Sequence, residues 1–123
     1  MPTRTAWLIA AASVVFATAE GHHSSVPWYD LQADPITVIG VVKEFQFINP
    51  HVYIILDVTR DDGTVEEWKI ESTSRNRLIR IGWTEDSIRA GQTVTATGFP
   101  AWEGNGVDSE RIVVDDGALI WER

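Results

Sequence analysis

Apolar and polar positions in this chain fall into period-two stretches interrupted once by a helical pattern. The run Ile36-Thr37-Val38-Ile39-Gly40-Val41-Val42 is rich in β-branched residues and continues through Phe45 and Phe47. Such side chains fit a pleated, half-buried surface, which predicts a long first strand. Gly40 marks a bulge or a sharp coil within it. Asn49-Pro50 ends it, because proline has no N–H for a ladder and restricts the residue before it. From His51 to Thr59 the alternation is clean. Val52, Ile54, Leu56 and Val58 share one face, and His51, Tyr53, Ile55 and Asp57 the other. Asp61-Asp62-Gly63 reads as a hairpin turn, with glycine supplying positive φ. A third strand, Thr64 to Glu71, offers Trp68 and Ile70 to a core.

The period then changes. Ser74 to Ile81 is predicted as a short helix, capped by the hydroxyls of Ser72, Thr73 and Ser74 and closed by Gly82 in the left-handed region. Thr84-Glu85-Asp86 reads as the start of a second, single-turn helix ending at Gly91. Gln92 to Gly98 is a fourth strand. Phe99 to Asp108 is a loop carrying Trp102 between Pro100 and Gly104. Ile112 to Val114 is a fifth strand, Asp116-Gly117 a turn, and Ala118 to Glu122 a last short strand.

Three strands, a helix, then two or three strands is the order of the OB barrel, in which a helix plugs one end between strands three and four. The expected fold is therefore all-β with one or two short helices, as a small five- to six-stranded OB-like barrel. A small SH3-like or split barrel is the alternative. OB barrels collect ligands on the face of strands two and three and at the loops joining strands one to two and four to five. Here those loops are Asn49-Pro50-His51 and Phe99–Asp108, which predicts His51 and Trp102 at one rim.

The N-terminus is built differently. Arg4 precedes an almost unbroken apolar run, Ala6 to Ala19, ending in Ala17-Thr18-Ala19. A short positive region, an apolar run and an A-x-A site make a secretory signal. A membrane-spanning helix needs about 20 apolar residues, so a retained anchor is the lesser alternative. The expected organisation is a signal at 1–19, with cleavage as late as 21, an arm at 20–35 tacked down by Trp28-Tyr29, and a barrel at 36–123. The chain has no cysteine, hence neither a disulfide nor a lipid-anchor site. A periplasmic or secreted monomer with no integral membrane segment after cleavage is expected. The formal charge of −8 comes with no basic stripe, which argues against nucleic-acid binding.

Candidate chemistry centres on three histidines, His22, His23 and His51. Cleavage after Ala19 leaves Glu20-Gly21-His22, whose amine, two amides and imidazole can close a square-planar site suited to Cu(II) or Ni(II). Cleavage after Gly21 leaves His22 first. Its amine and ring then chelate one copper, and His51 or His23 completes the set. In the competing reading the His pair has no role, and His51 packs beside Tyr53 with one ring nitrogen bonded to a nearby carbonyl. The Asn49-Pro50 corner stiffens the site of His51, and Asn49 joins it as a candidate binding residue. Trp102 is the other, since an aromatic on an exposed loop is a favoured anchor. Asp61-Asp62 and Asp115-Asp116 each precede a glycine and are turn chemistry. There is no nucleophile-elbow motif and no EF-type calcium loop, so no catalytic residue is assigned and no enzyme is expected.

With His22-His23-Ser24, Tyr29-Asp30, Gly40-x-Val42, Asn49-Pro50-His51-Val52, Asp62-Gly63, Trp68, Gly82-Trp83-Thr84, Gly91-x-x-Val94 and Gly98-x-Pro100, the chain resembles a family of small exported bacterial proteins known only as a domain of unknown function. The resemblance spans nearly all of the expected mature chain and implies no activity, substrate or cofactor. Members of that family tend to carry Ala directly before the His pair, whereas Glu20-Gly21 intervene here. Two functions are therefore expected in competition. One is a small exported accessory protein binding copper or another transition metal through His22, His23 and His51. The other is an interaction module whose arm and 99–108 loop dock on an envelope protein.

Overall fold

The structure, a computed structural model, describes residues 25–115 and 117–123. The predicted export signal and the start of the arm lie outside the described residues. The elements are β1 (Ile36–Gln46), β2 (Tyr53–Thr59), β3 (Val65–Glu71), α1 (Arg75–Arg80), β4 (Thr93–Pro100), β5 (Gly106–Val114) and β6 (Ala118–Glu122). The sheet runs β3-β2-β1-β4-β5-β6, and a parallel pairing of β3 with β5 closes its first five strands into a barrel. With α1 between the third and fourth strands, this is an OB-like barrel with β6 added outside the ring.

Strand β1 serves two neighbours, and its sequence explains how. Ile36 to Val41 pair with β4, while Val41 to Gln46 pair with β2. The change of partner needs strong coiling. A bulge between Val42 and Glu44 supplies part of it. Gly40 supplies the rest, because a Cβ there would stand 2.9 Å from both the Asp57 carbonyl oxygen and Val58 Cγ2. Of the two alternatives expected at Gly40, the bulge falls further along, between Val42 and Glu44, and the glycine itself sits at the close approach of β2.

The inner faces of the strands bring Val38, Val42, Ile54, Leu56, Ile70, Val94, Val107 and Ile112 into one core. Leu78 of α1 plugs its end and is fully buried, worth about 1.5–3 kcal/mol by area removed from water. The helix forms as the hydroxyl pattern predicts. Ser74 Oγ accepts from Arg77 N at 3.2 Å, and Trp83 N returns to the Leu78 carbonyl at 3.0 Å behind Gly82, whose φ is +96°.

Three expectations change. Thr84–Asp86 makes a single turn and no helix: Ser87 N returns to the Thr84 carbonyl at 3.1 Å, with Thr84 N donating to Ser87 Oγ at 2.8 Å and Asp86 N to Thr84 Oγ1 at 3.2 Å. α1 is the one helix among the described residues. Strand β2 begins at Tyr53 rather than His51, which leaves the histidine in the corner. The loop read as 99–108 shrinks to the residues between Pro100 and Gly106, because β5 starts at Gly106. Asp108 and Ser109 hid that strand, being polar residues buried inside it. No helix among the described residues is long and apolar enough to cross a membrane.

Candidate functional site

The arm crosses the barrel at the short β4–β5 loop. Tyr29 bridges Ala101, Asp30 N donates to the Pro100 carbonyl at 2.9 Å, and Trp102 N to the Trp28 carbonyl at 3.1 Å. Beneath it lies the outer face of β2 and β3. Tyr53 pairs with Glu71 across the ladder, and Ile55 with Lys69. Residues directly opposite share a face, so Tyr53, Lys69 and Glu71 stand together under the arm. They wall a cleft of about 700 Å³ with Trp28, Tyr29, His51, Ala101 and Glu103. Lys69 Nζ sits 3.9 Å from the centre of the Tyr53 ring, a cation–π contact.

Glu71 is the centre of this arrangement. Its residue is only 8% exposed, and an isolated carboxylate in that position would be costly. Each oxygen has its own donor. Tyr29 Oη donates to Oε2 at 2.5 Å, and His51 Nδ1 is hydrogen-bonded to Oε1. The Glu71 backbone carbonyl accepts from Ser109 Oγ at 2.7 Å, which explains one of the two polar residues buried in β5. Burial first, and then the Glu71 carboxylate, push the Tyr29 hydroxyl far above its ordinary pKa; the same two causes raise Tyr53.

His51, Glu71 and Ser25 also line a second chamber of about 250 Å³, with Ser72, Thr73, Arg77, Asp108 and Arg123. Its walls are polar. Asp108 is neutralised there by Arg123, and Ser72 Oγ is buried without a partner among the described residues.

The residues singled out from sequence separate. His51 lies at the junction of the two chambers, held by a carboxylate rather than by a carbonyl. Asn49 faces elsewhere: its Oδ1 accepts from Asn76 N at 3.3 Å and its Nδ2 donates to Asn76 Oδ1 at 3.2 Å, tying the corner, with its cis Asn49–Pro50 peptide, to α1. Trp102 does not line the cleft of His51. It donates from Nε1 to the Val26 carbonyl at 3.0 Å and walls a different cleft of about 350 Å³ with Pro27, Trp28 and Glu103. The expected rim exists through Ala101 and Glu103, and the tryptophan on it is Trp28. His22 and His23 lie outside the described residues. Among the described residues no three His, Asp or Glu side chains form a group able to hold a metal ion.

Glu71 and Lys69 were missed from sequence, and Tyr53 was placed beside His51 without a role. The signal for them was present: in a hairpin turning at Asp61-Asp62-Gly63, period-two parity puts all three on the face of His51.

No curated protein sequence matches this chain. Among solved structures, Rim1, a mitochondrial single-stranded DNA-binding protein from S. cerevisiae, is similar at 15% identity and a TM-score of 0.43, over 73% of this chain and 96% of that one. A superposition that loose transfers no ligand. Residues 8–109 match a family of unknown function, DUF6152, and the chain belongs to that family.

Proposed function

We propose that this protein is an exported binding module, acting without turnover, whose cargo is a transition-metal ion, copper foremost, taken by His51 together with His22 and His23. The observation that carries the reading is the setting of His51. Its Nδ1 is committed to a buried carboxylate, which is the outer-shell arrangement that metal-binding histidines commonly have. Nε2 has no partner among the described residues and is the available donor. Two further facts support it. Ser25 lines both chambers beside His51, and His23 is two residues from Ser25 in the sequence, a span of at most about 7 Å. Copper(II) also binds nitrogen sites most tightly in the divalent series. The apolar run and Ala17-Thr18-Ala19 support export to the periplasm or beyond.

The test is to purify the exported form, determine its first residue and titrate it with Cu(II). Tight one-to-one binding that falls in both His22→Ala and His51→Ala is expected. Affinity equal to that of an unstructured peptide with the same terminus, or indifferent to His51→Ala, overturns the reading.

A second reading, an envelope interaction module, is favoured by one observation. Trp28 and Trp102, 71% and 58% exposed, line one cleft on the arm. Under that reading, Trp28→Ala with Trp102→Ala releases a co-purifying envelope protein without lowering the melting temperature.

A further inference from the structure

We infer that the cleft between Trp28 and Trp102 binds a small quaternary ammonium ion, with the Glu103 carboxylate as its counter-charge. The inference is independent of the metal reading and competes with the docking reading for the same two tryptophans. Pro27, Trp28, Trp102 and Glu103 wall this cleft of about 350 Å³, which suits a small ligand, since ligand sites start at roughly 300 Å³. One exposed apolar side chain needs no explanation. Two exposed indoles walling one space do. Neither ring face is taken up by another aromatic ring or by a cation among the described residues; the cations that lie over rings do so at Tyr53, Phe47 and Trp121.

The walls are nonetheless held in place. Trp102 N donates to the Trp28 carbonyl at 3.1 Å, and Trp102 Nε1 to the Val26 carbonyl at 3.0 Å. The far end of the loop is fixed to β3: Lys69 N donates to the Asn105 carbonyl at 3.0 Å, and Asn105 Nδ2 to the Glu67 carbonyl at 3.3 Å. A site ordered in advance loses less entropy when it binds. The fourth wall sets the sign of the ligand. Glu103 is exposed and makes no ion pair or hydrogen bond among the described residues. Lys69 lines the adjoining cleft with Trp28 and Glu103, but its ammonium rests on the Tyr53 ring. Indole faces and a carboxylate both attract positive charge, and an anion is repelled. A saccharide also stacks on indoles, but its hydroxyls need several polar partners, and these walls carry one polar side chain. A primary ammonium is strongly hydrated. A quaternary one spreads its charge over methyl groups that indoles can cover, and it has no N–H to leave unpaired.

Choline is the probe, and its neutral analogue with carbon in place of the charged nitrogen separates charge from shape. Added to the exported protein at constant ionic strength, choline is expected to shift the ring C–H NMR signals of Trp28 and Trp102, assigned with Trp28→Leu and Trp102→Leu. Saturation is expected with a Kd of about 0.1–10 mM for so few ligand atoms. The buried rings of Trp83 and Trp121 and the His51 ring signal should not move, since none of them walls this cleft. The neutral analogue and ethanolamine should bind roughly 10-fold more weakly or worse. Trp28→Leu should weaken choline about 5- to 30-fold, and Glu103→Gln about 2- to 5-fold, both at an unchanged melting temperature. Trp102→Leu also removes the bond to Val26, so the first two variants carry the test. Equal affinity for the neutral analogue overturns the inference, as does choline affinity unchanged in Trp28→Leu. Indole signals indifferent to choline overturn it as well and leave the two tryptophans to the docking reading.

Discussion

Arg123 closes its guanidinium on Asp108, with Nη2 2.8 Å from Oδ1 and Nη1 3.2 Å from Oδ2. Paired N–H donors on one carboxylate are the strong form of this contact. The partners are unequally placed. Asp108 is 1% exposed, while the Arg123 side chain is 41% exposed. Removing the arginine strands a buried charge, so Arg123→Ala is expected to cost roughly 2–3 kcal/mol, somewhat under the value for a fully enclosed pair because water can reach the vacated place. Adding Asp108→Asn to Arg123→Ala should return part of that loss, since a neutral amide is less costly to leave unpaired than a carboxylate. Urea midpoints at constant m-value measure both. A double variant less stable than Arg123→Ala alone contradicts the account.

Tyr29→Phe keeps the buried ring and removes one hydroxyl that donates to a charged acceptor, a contact worth about 1.5–3 kcal/mol. The loss should appear locally. The arm retains its backbone bonds to Pro100 and Trp102, whereas the barrel closes through β3 and β5 without it. Amide exchange of Asp30 and Trp102 is expected to accelerate by about 10- to 150-fold, the same free energy expressed as a ratio. Core amides such as those of Ile54 and Leu56 should change far less. Uniform acceleration across the barrel would mean that the arm is part of the global folding unit.

The two tyrosines give a pH prediction. Both hydroxyls are raised above the ordinary 10.0 in the folded chain, by burial first and by Glu71 after it. A folded state that holds protons more tightly than the unfolded chain is stabilised relative to it, and that stabilisation is lost as the protons leave. The contribution is therefore complete below about pH 10 and falls as pH rises from there through the folded-state values. Tyrosinate absorbance at pH 10 should be small in the native protein and near half-maximal in urea. Half-titration of the native chain at pH 10 would put both hydroxyls in ordinary solvent, and about a quarter would put one of them there.

The sequence makes the barrel legible and leaves its site largely hidden. Strand order, helix position and core face follow from period and turn chemistry, because Val52, Ile54 and Leu56 alternate cleanly and Gly63 and Gly82 punctuate the chain. β5 was shortened because Asp108 and Ser109 break its alternation. They are buried only because Arg123 and the Glu71 carbonyl satisfy them, and neither partner is near in sequence. The same holds for the site. His51 stands out as a rare residue beside a proline, but Glu71 is one of many acidic residues and becomes distinctive only when closure of the barrel buries it between Tyr29 and His51. Trp102 was expected in the wrong cleft, because the side on which a short loop turns its tryptophan depends on the arm lying across it.

Two glycines should respond very unequally to the same added methyl. Gly63 has φ +83° with nothing within 4 Å of a built Cβ, so alanine there meets only left-handed backbone strain, about 1–2 kcal/mol. That corresponds to a melting point lowered by roughly 4–16 °C in a domain of this size. Gly98 lies at the bulge where β4 meets β5, and its Cβ would stand 2.1 Å from the Asp108 carbonyl oxygen and 2.8 Å from Ser109 Cα. Those atoms are backbone and cannot swing aside as a side chain would. The cost should exceed the ~1–3 kcal/mol of ordinary core overpacking. The displacement also falls on the segment whose Ser109 hydroxyl holds the Glu71 carbonyl, so a Gly98→Ala protein that still folds should show a disturbed His51 ring signal, whereas Gly63→Ala should leave that signal unchanged. Equal melting points for the two variants, or a wild-type His51 signal in folded Gly98→Ala, would show that barrel closure at β4 and β5 does not bear on how His51 is held.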